Sequence, residues 1–270
     1  SSAAGILTVI ARTAGIVVFI KSGYGIVALG VVHLLSQFLF GALAWFAARY
    51  VRPEINLSLR QASIETVRTL WNYSAFVLVN NAGRFLLFGT GEIVVGALLG
   101  TAAVTHYAIA GAVAQYMQQL VVTMTQVLHP HAAALQAKGS TGGLRDSAIL
   151  GTRMALVVGV PITVTVFVVG TTFLALWMGP TYAAVAGPLL LVLTFARLVH
   201  LSQSGAYEVL LGMGKHRVPT LYNLAAGVLS VALGAALAPW FGLAGVVSGG
   251  AVAIVLCHGI LLPRHVNHEL

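Results

Sequence analysis

The chain has 270 residues, 59% of them hydrophobic and 7% charged, with a mean hydropathy of +0.94. Soluble domains carry about 25% charged residues, so this composition excludes a water-soluble fold. A net charge of +8 would suit a nucleic-acid binder, but the basic residues crowd into alternate gaps between apolar runs, which is a membrane pattern.

Runs of about 20 apolar residues match the thickness of a bilayer core. About eight can be drawn, at 3–20, 25–48, 70–95, 104–133, 148–176, 183–211, 218–238 and 242–262, and they predict an all-α integral membrane protein with about eight transmembrane helices. The chain opens SSAAGILTVIAR, with neither an initiator Met nor the charged start and cleavage site of a signal peptide. It is therefore expected to be part of a longer protein.

The second run is followed by the longest hydrophilic connector, residues 49–69, in which Pro53 breaks the helix. Ile55, Leu57, Leu59, Ile64 and Val67 alternate there with charges, the pattern of a short interfacial helix joining two lobes. A short echo supports two lobes: Tyr24-Gly25-Ile26-Val27-Ala28 between the first two runs matches Phe241-Gly242-Leu243-Ala244-Gly245 between the last two. An offset of six runs is what a parallel six-helix repeat would give. Residues 1–48 then read as the last two helices of an N-terminal lobe, 49–69 as a cytoplasmic interfacial connector and 70–270 as a six-helix C-terminal lobe.

The gaps divide the basic residues unevenly. Arg49, Arg52, Arg60, Arg68, Lys138, Arg145, Arg153, Lys215, Arg217 and Arg264 fall in one alternating set and only Lys21 in the other. By the excess of Lys and Arg in cytoplasmic loops, the first set is inside, with the C-terminus. Most of the charge is topology, and no nucleic-acid partner is expected.

Within the third run Arg84 stands near membrane mid-depth, where a lipid-facing arginine costs at least about 3 kcal/mol, so it must face protein or water. Asn80 and Asn81 precede it by four and three residues on the same helix face, and Glu92 lies further toward the outside. In the sixth run Arg197, His200, Ser204 and Glu208 share an arc of about 80°. In the fourth, Gln115, Gln118, Gln119, Gln126 and His129 form a comparable stripe. These stripes read either as interhelical hydrogen-bonding glue or as the lining of a cavity in which Arg84 and Arg197 await an anion. Arg84 with Glu208, or Arg197 with Glu92, would be the competing ion pairs.

Cys257 is alone, and no phosphate-binding glycine loop, zinc-type Cys/His set or nucleophile elbow occurs. No catalytic residue, metal ligand or cofactor is expected, and the protein is not read as an enzyme.

Loose motifs in consistent order carry a family likeness: Glu92-Ile93-Val94-Val95-Gly96-Ala97-Leu98-Leu99-Gly100, Tyr107-Ala108-Ile109-Ala110, Pro130 closing its helix, Phe173-Leu174-Ala175-Leu176-Trp177-Met178-Gly179 with Tyr182, and Leu210-Leu211-Gly212-Met213-Gly214-Lys215. Over nearly its whole length the chain resembles, from the fifth helix onward, the polysaccharide and lipid-linked oligosaccharide flippases of the multidrug/oligosaccharidyl-lipid/polysaccharide (MOP) exporter superfamily. Where such proteins often carry an Asp before the aliphatic-Gly stretch, this chain has Gly91 followed by Glu92.

The resemblance implies part of a two-lobe, six-plus-six transporter bundle opening alternately to each side of a bacterial cytoplasmic membrane. It implies a polyprenyl-pyrophosphate-linked glycan as cargo, with membrane lipids and the polysaccharide polymerase or assembly machinery as partners. Asn80, Asn81, Arg84, Gln115, Gln119, Arg197, His200 and Ser204 are the expected cavity residues, with Glu92 and Glu208 as coupling groups or ion-pair partners. The alternatives are a cation-coupled multidrug exporter of the same superfamily and a non-transporting membrane scaffold whose stripes are fully paired.

Overall fold

A computed structural model describes residues 2–22, 26–51 and 63–269. All regular elements among these residues are helices: α1 (Ser2–Lys21), α2 (Ile26–Val51), α3 (Ile64–Phe88), α4 (Gly91–Leu99), α5 (Thr101–Thr125), α6 (Leu128–Ala137), α7 (Thr141–Met178), α8 (Pro180–Ser202), α9 (Ser204–Gly212), α10 (Arg217–Ile254), a π-helical segment (Val255–Leu261) and α11 (Leu262–Glu269). A chain this apolar has no water to satisfy its backbone, and helices satisfy every N–H and C=O internally. Large apolar side chains accordingly turn outward, with Val168 74% and Leu176 86% exposed, surfaces that lipid covers.

Four stretches are long and apolar enough to cross a membrane, namely Leu29–Tyr50, Thr141–Met178, Pro180–Gly212 and Arg217–Val266; the bent pair Ser74–Phe88 and Gly91–Leu99 makes a fifth. This multi-span protein thus shows fewer qualifying spans than the eight runs drawn on its sequence. The reasons are physical. Gly5–Phe19 is apolar but short, and α5 carries Gln115, Gln118 and Gln119 in its middle. Arg217–Val266 is a hairpin: Gly242 has φ 58° and ψ −136°, outside the helical region, and lies just beyond Pro239. Beyond that turn the chain runs back along itself, so that a Cβ at Gly245 would fall 2.4 Å from the Leu237 carbonyl oxygen and one at Gly249 2.6 Å from the Gly234 nitrogen.

Two compact units are present, Ser1–Val67 and Arg68–Leu270. In the first, α1 packs on α2, where Gly15 faces Val32. Most of the connector expected at 49–69 falls on residues 52–62, outside the described residues, as do Tyr24 and Gly25 of the echo. In the second unit α7 packs on α8 and α9, α5 on α8, α4 on α10 and α6 on α9. Small residues set these crossings: a Cβ on Gly151 would fall 2.5 Å from the Gly205 Cα, so α7 and α9 meet backbone to backbone. Dispersion over such close contacts replaces the hydrophobic drive that lipid cannot supply.

Two local readings need correction. Pro130 does not close its helix; it lies in the first turn of α6, which continues to Ala137, a position where the missing N–H costs nothing. The third run is not one helix either: α3 stops at Phe88, α4 starts at Gly91, and the two are bent by 44°. At the start of α4 the Tyr107 hydroxyl takes the space that a Cβ on Gly91 would fill.

Candidate functional site

Arg84 is placed by the residue beside it. Gly83 lets α3 approach α10 so closely that a Cβ there would fall 2.7 Å from the Leu224 nitrogen, and one on Gly227 2.6 Å from the Gly83 carbonyl oxygen. Asn80, one turn earlier, enters a hydrogen-bond chain. Its Nδ2 donates to the Tyr207 hydroxyl at 2.8 Å, while Asn223 Nδ2 donates to its Oδ1 at 2.8 Å. Asn223 Oδ1 accepts from His258 Nε2 at 3.0 Å; since that amide oxygen cannot donate, the proton of His258 sits on Nε2. Asn223 is 1% and His258 2% exposed, and His258 Nδ1 has no partner.

Aromatic contacts extend the chain toward Arg197. The His258 ring meets His200 edge-on at 4.6 Å, His200 meets Phe88 at 5.0 Å, and the Arg197 guanidinium lies 3.8 Å over the Phe88 ring. Arg197 Nη1 also donates to Gln118 Oε1. A guanidinium stacked on a ring and held by an amide is oriented without being neutralised.

Two cavities meet at Arg84. One, of about 760 Å³, is lined by Arg84, Arg197, Gln115, Gln118 and Gln119, with Phe85 and Phe88 as apolar wall. The other, of about 510 Å³, is lined by Arg84, His200, Ser204, Tyr207, Glu208, Asn223 and His258, among others. Six of the eight expected cavity residues therefore line one or the other. Asn80 serves the hydrogen-bond chain instead, and Asn81 is exposed and lines neither. Glu92 also lines neither; it sits in the first turn of α4, beyond the break.

Neither arginine is in an ion pair with a described residue. Glu208, the carboxylate nearest in sequence pattern to Arg84, instead meets His129 Nδ1 at 3.4 Å. Both anticipated pairs, Arg84 with Glu208 and Arg197 with Glu92, are thus not formed as direct contacts; the two guanidinium groups line a first cavity that no carboxylate lines, while Arg84 shares the second with Glu208. Among the described residues, no group of three or more His, Cys, Asp or Glu gathers to hold a metal ion.

The cavity walls coincide with defects in the helices. Gly89 at the α3/α4 break lines the first cavity; Gln126 at the end of α5, Gln203 between α8 and α9, and His258 in the π-helical segment line the second. Irregular backbone is tolerated at membrane depth where it lines a cavity, and π-segments recur at functional sites. Tyr207, Asn223, His258 and Phe88 were not singled out from the sequence. A lone Asn in one apolar run and a lone His in the next was the available signal, and it needs the fold to be read.

The uncharacterized membrane protein EpsK of Bacillus subtilis (strain 168) is 23% identical over 240 residues, covering 87% of this chain and 46% of that protein. The chain thus spans about half the length of that curated relative. No solved structure matches. A family model described as polysaccharide biosynthesis protein matches residues 2–186, more than half of a multi-helix chain whose polar cavities lie within an apolar bundle. By that match the chain belongs to the polysaccharide biosynthesis protein family.

Proposed function

We propose that the chain forms part of a flippase that moves a polyprenyl-pyrophosphate-linked oligosaccharide from the cytoplasmic to the outer leaflet for cell-surface polysaccharide synthesis. The observation that carries the reading is the pair Arg84 and Arg197 lining one cavity that no carboxylate lines, with neither in a direct ion pair with a described residue. Leaving two cations uncompensated at membrane depth is costly, and an arriving pyrophosphate relieves that cost on both. The guanidinium fork donates to two phosphate oxygens at once, and charge-assisted bonds of this kind are strengthened where water is scarce. Gln115, Gln118 and Gln119 add neutral amides suited to sugar hydroxyls.

The membership in a polysaccharide biosynthesis family supports the cargo class. The basic gaps support a bacterial cytoplasmic membrane with the C-terminus inside, and the helix breaks around the cavity support alternating access by movement of one lobe against another. Residues 1–270 span about half the length of the curated relative, and proteoliposomes holding only these residues are expected to show no flipping. A cation-coupled drug exporter would need carboxylates free to take a cation; Glu208, in the second cavity, is held by His129, and Glu92 lines neither cavity.

The test is genetic. Deleting the gene is expected to trap lipid-linked glycan on the cytoplasmic leaflet; wild type relieves the block and Arg84→Ala does not. No accumulation, with increased sensitivity to cationic drugs, would move the protein to the exporter class.

A further inference from the structure

A third and larger cavity lies away from Arg84, at the basic end of the bundle. It is an open groove, about 1280 Å³ with the adjoining solvent space, between the start of α7, the α8/α9 junction and α11. From α7 it takes Arg145, Ala148, Ile149, Thr152 and Arg153. These positions follow the i, i+3, i+4, i+7, i+8 spacing of a single helix face, with an arginine at each end. The opposite wall is Gln203, Ala206, Pro263 and Val266. The floor exists because Gly151 and Gly205 let α7 and α9 touch by their backbones, leaving a trough beside the crossing.

The groove is amphiphilic and one-signed. Arg145 and Arg153 are exposed, neither is ion-paired with a described residue, and no carboxylate lines the groove. Ala148, Ile149, Ala206 and Val266 supply an apolar strip alongside them. Depth fits a lipid interface. From Trp177, 58% exposed near the far end of α7, to Arg153 is 24 residues of helix, about 36 Å. A hydrocarbon core is about 30 Å thick, and exposed tryptophans sit at its edge. With Trp177 at one interface, Arg153 falls at headgroup level on the other, and Arg145 about 12 Å beyond it.

We infer that this groove is a binding site for an anionic phospholipid, the headgroup phosphate at Arg153, its polar head reaching along the groove toward Arg145, and the acyl chains leaving the groove beside Arg153 into the bilayer. Cationic pockets between helix ends are where such headgroups are held. A lipid seated there bridges α7, α9 and α11, and so steadies the half of the bundle that bears Arg84 and Arg197. The inference does not rest on the flippase reading, because none of its residues lines the cavities at Arg84 except Gln203 at the shared junction.

The test is native mass spectrometry of the purified full-length protein in detergent, titrated with phosphatidylglycerol or phosphatidylcholine of matched chains. Wild type is expected to retain phosphatidylglycerol at least about tenfold better than phosphatidylcholine, and R145Q/R153Q to lose that preference while keeping its unfolding temperature. R145K/R153K keeps the charge and is expected to keep the preference. Millimolar inorganic phosphate is expected to leave the lipid adduct in place, since it lacks the apolar contacts; its displacement by phosphate would overturn a lipid site in favour of a simple anion site. Equal retention of the two lipids by wild type, or an unchanged preference in R145Q/R153Q, would overturn the inference.

Discussion

Two regions of the Arg68–Leu270 unit are built on opposite rules. Around Ala110, Leu174, Ala183, Ala186, Leu190 and Val247 the helices interlock mainly through buried aliphatic side chains. Around Arg84, a turn or two away along α5 and α8, most of the residues lining the space are polar, and four helix irregularities border it. The first region is closed by packing alone; the second holds open volume at a cost in uncompensated charge and interrupted backbone. A membrane protein that needed only to fold would extend the first rule throughout. The contrast marks the second region as the part shaped for something other than stability.

That contrast can be tested by graded substitutions. The largest effect is expected where backbones touch: Gly205→Leu drives a side chain into Gly151 and Thr152 and should cost about 3 kcal/mol or more, read as a large fall in unfolding temperature in detergent. If it is tolerated, the close α7/α9 crossing is wrong. Next comes Arg84→Ala, which removes charge-assisted bonds to cargo of about 1.5–3 kcal/mol, a loss of roughly ten- to hundredfold in transport, with unfolding temperature unchanged or raised. A fall in stability instead would make Arg84 a structural residue. Asn223→Leu, which strands Asn80 and His258, should cost about 0.6–2 kcal/mol of stability and lower transport only through it. The smallest effect belongs to the lipid face: Val168→Ala, at a residue 74% exposed, should stay within about 0.5 kcal/mol in the same unfolding measurement.

The helical class was legible because apolar length and the scarcity of charge leave helices as the economical solution for a chain in lipid. The arginines and glutamines were legible for the complementary reason, that a polar stripe on an apolar helix has to face something. What could not be read were the interruptions. Nothing in the spacing of Arg197, His200, Ser204 and Glu208 announces a break at Gln203, since the stripe continues across it and both sides line one cavity. The hairpin at Gly242 was legible as a turn between two runs, whereas the bend between Phe88 and Gly91 was hidden inside one. Partnerships were the least legible. Glu208 with His129, and Asn80 with Asn223 and Tyr207, join residues 79 to 143 positions apart or lie on helices whose neighbours only the fold assigns.

The central claim is that Arg84 and Arg197 wait unpaired for a lipid-linked anion, and binding tests it most directly. The purified full-length protein should bind polyprenyl pyrophosphate at least about tenfold more tightly than the uncharged polyprenol, and R84A/R197A should bind the two alike. Equal binding of both lipids by wild type, or an undiminished preference in R84A/R197A, would contradict the account.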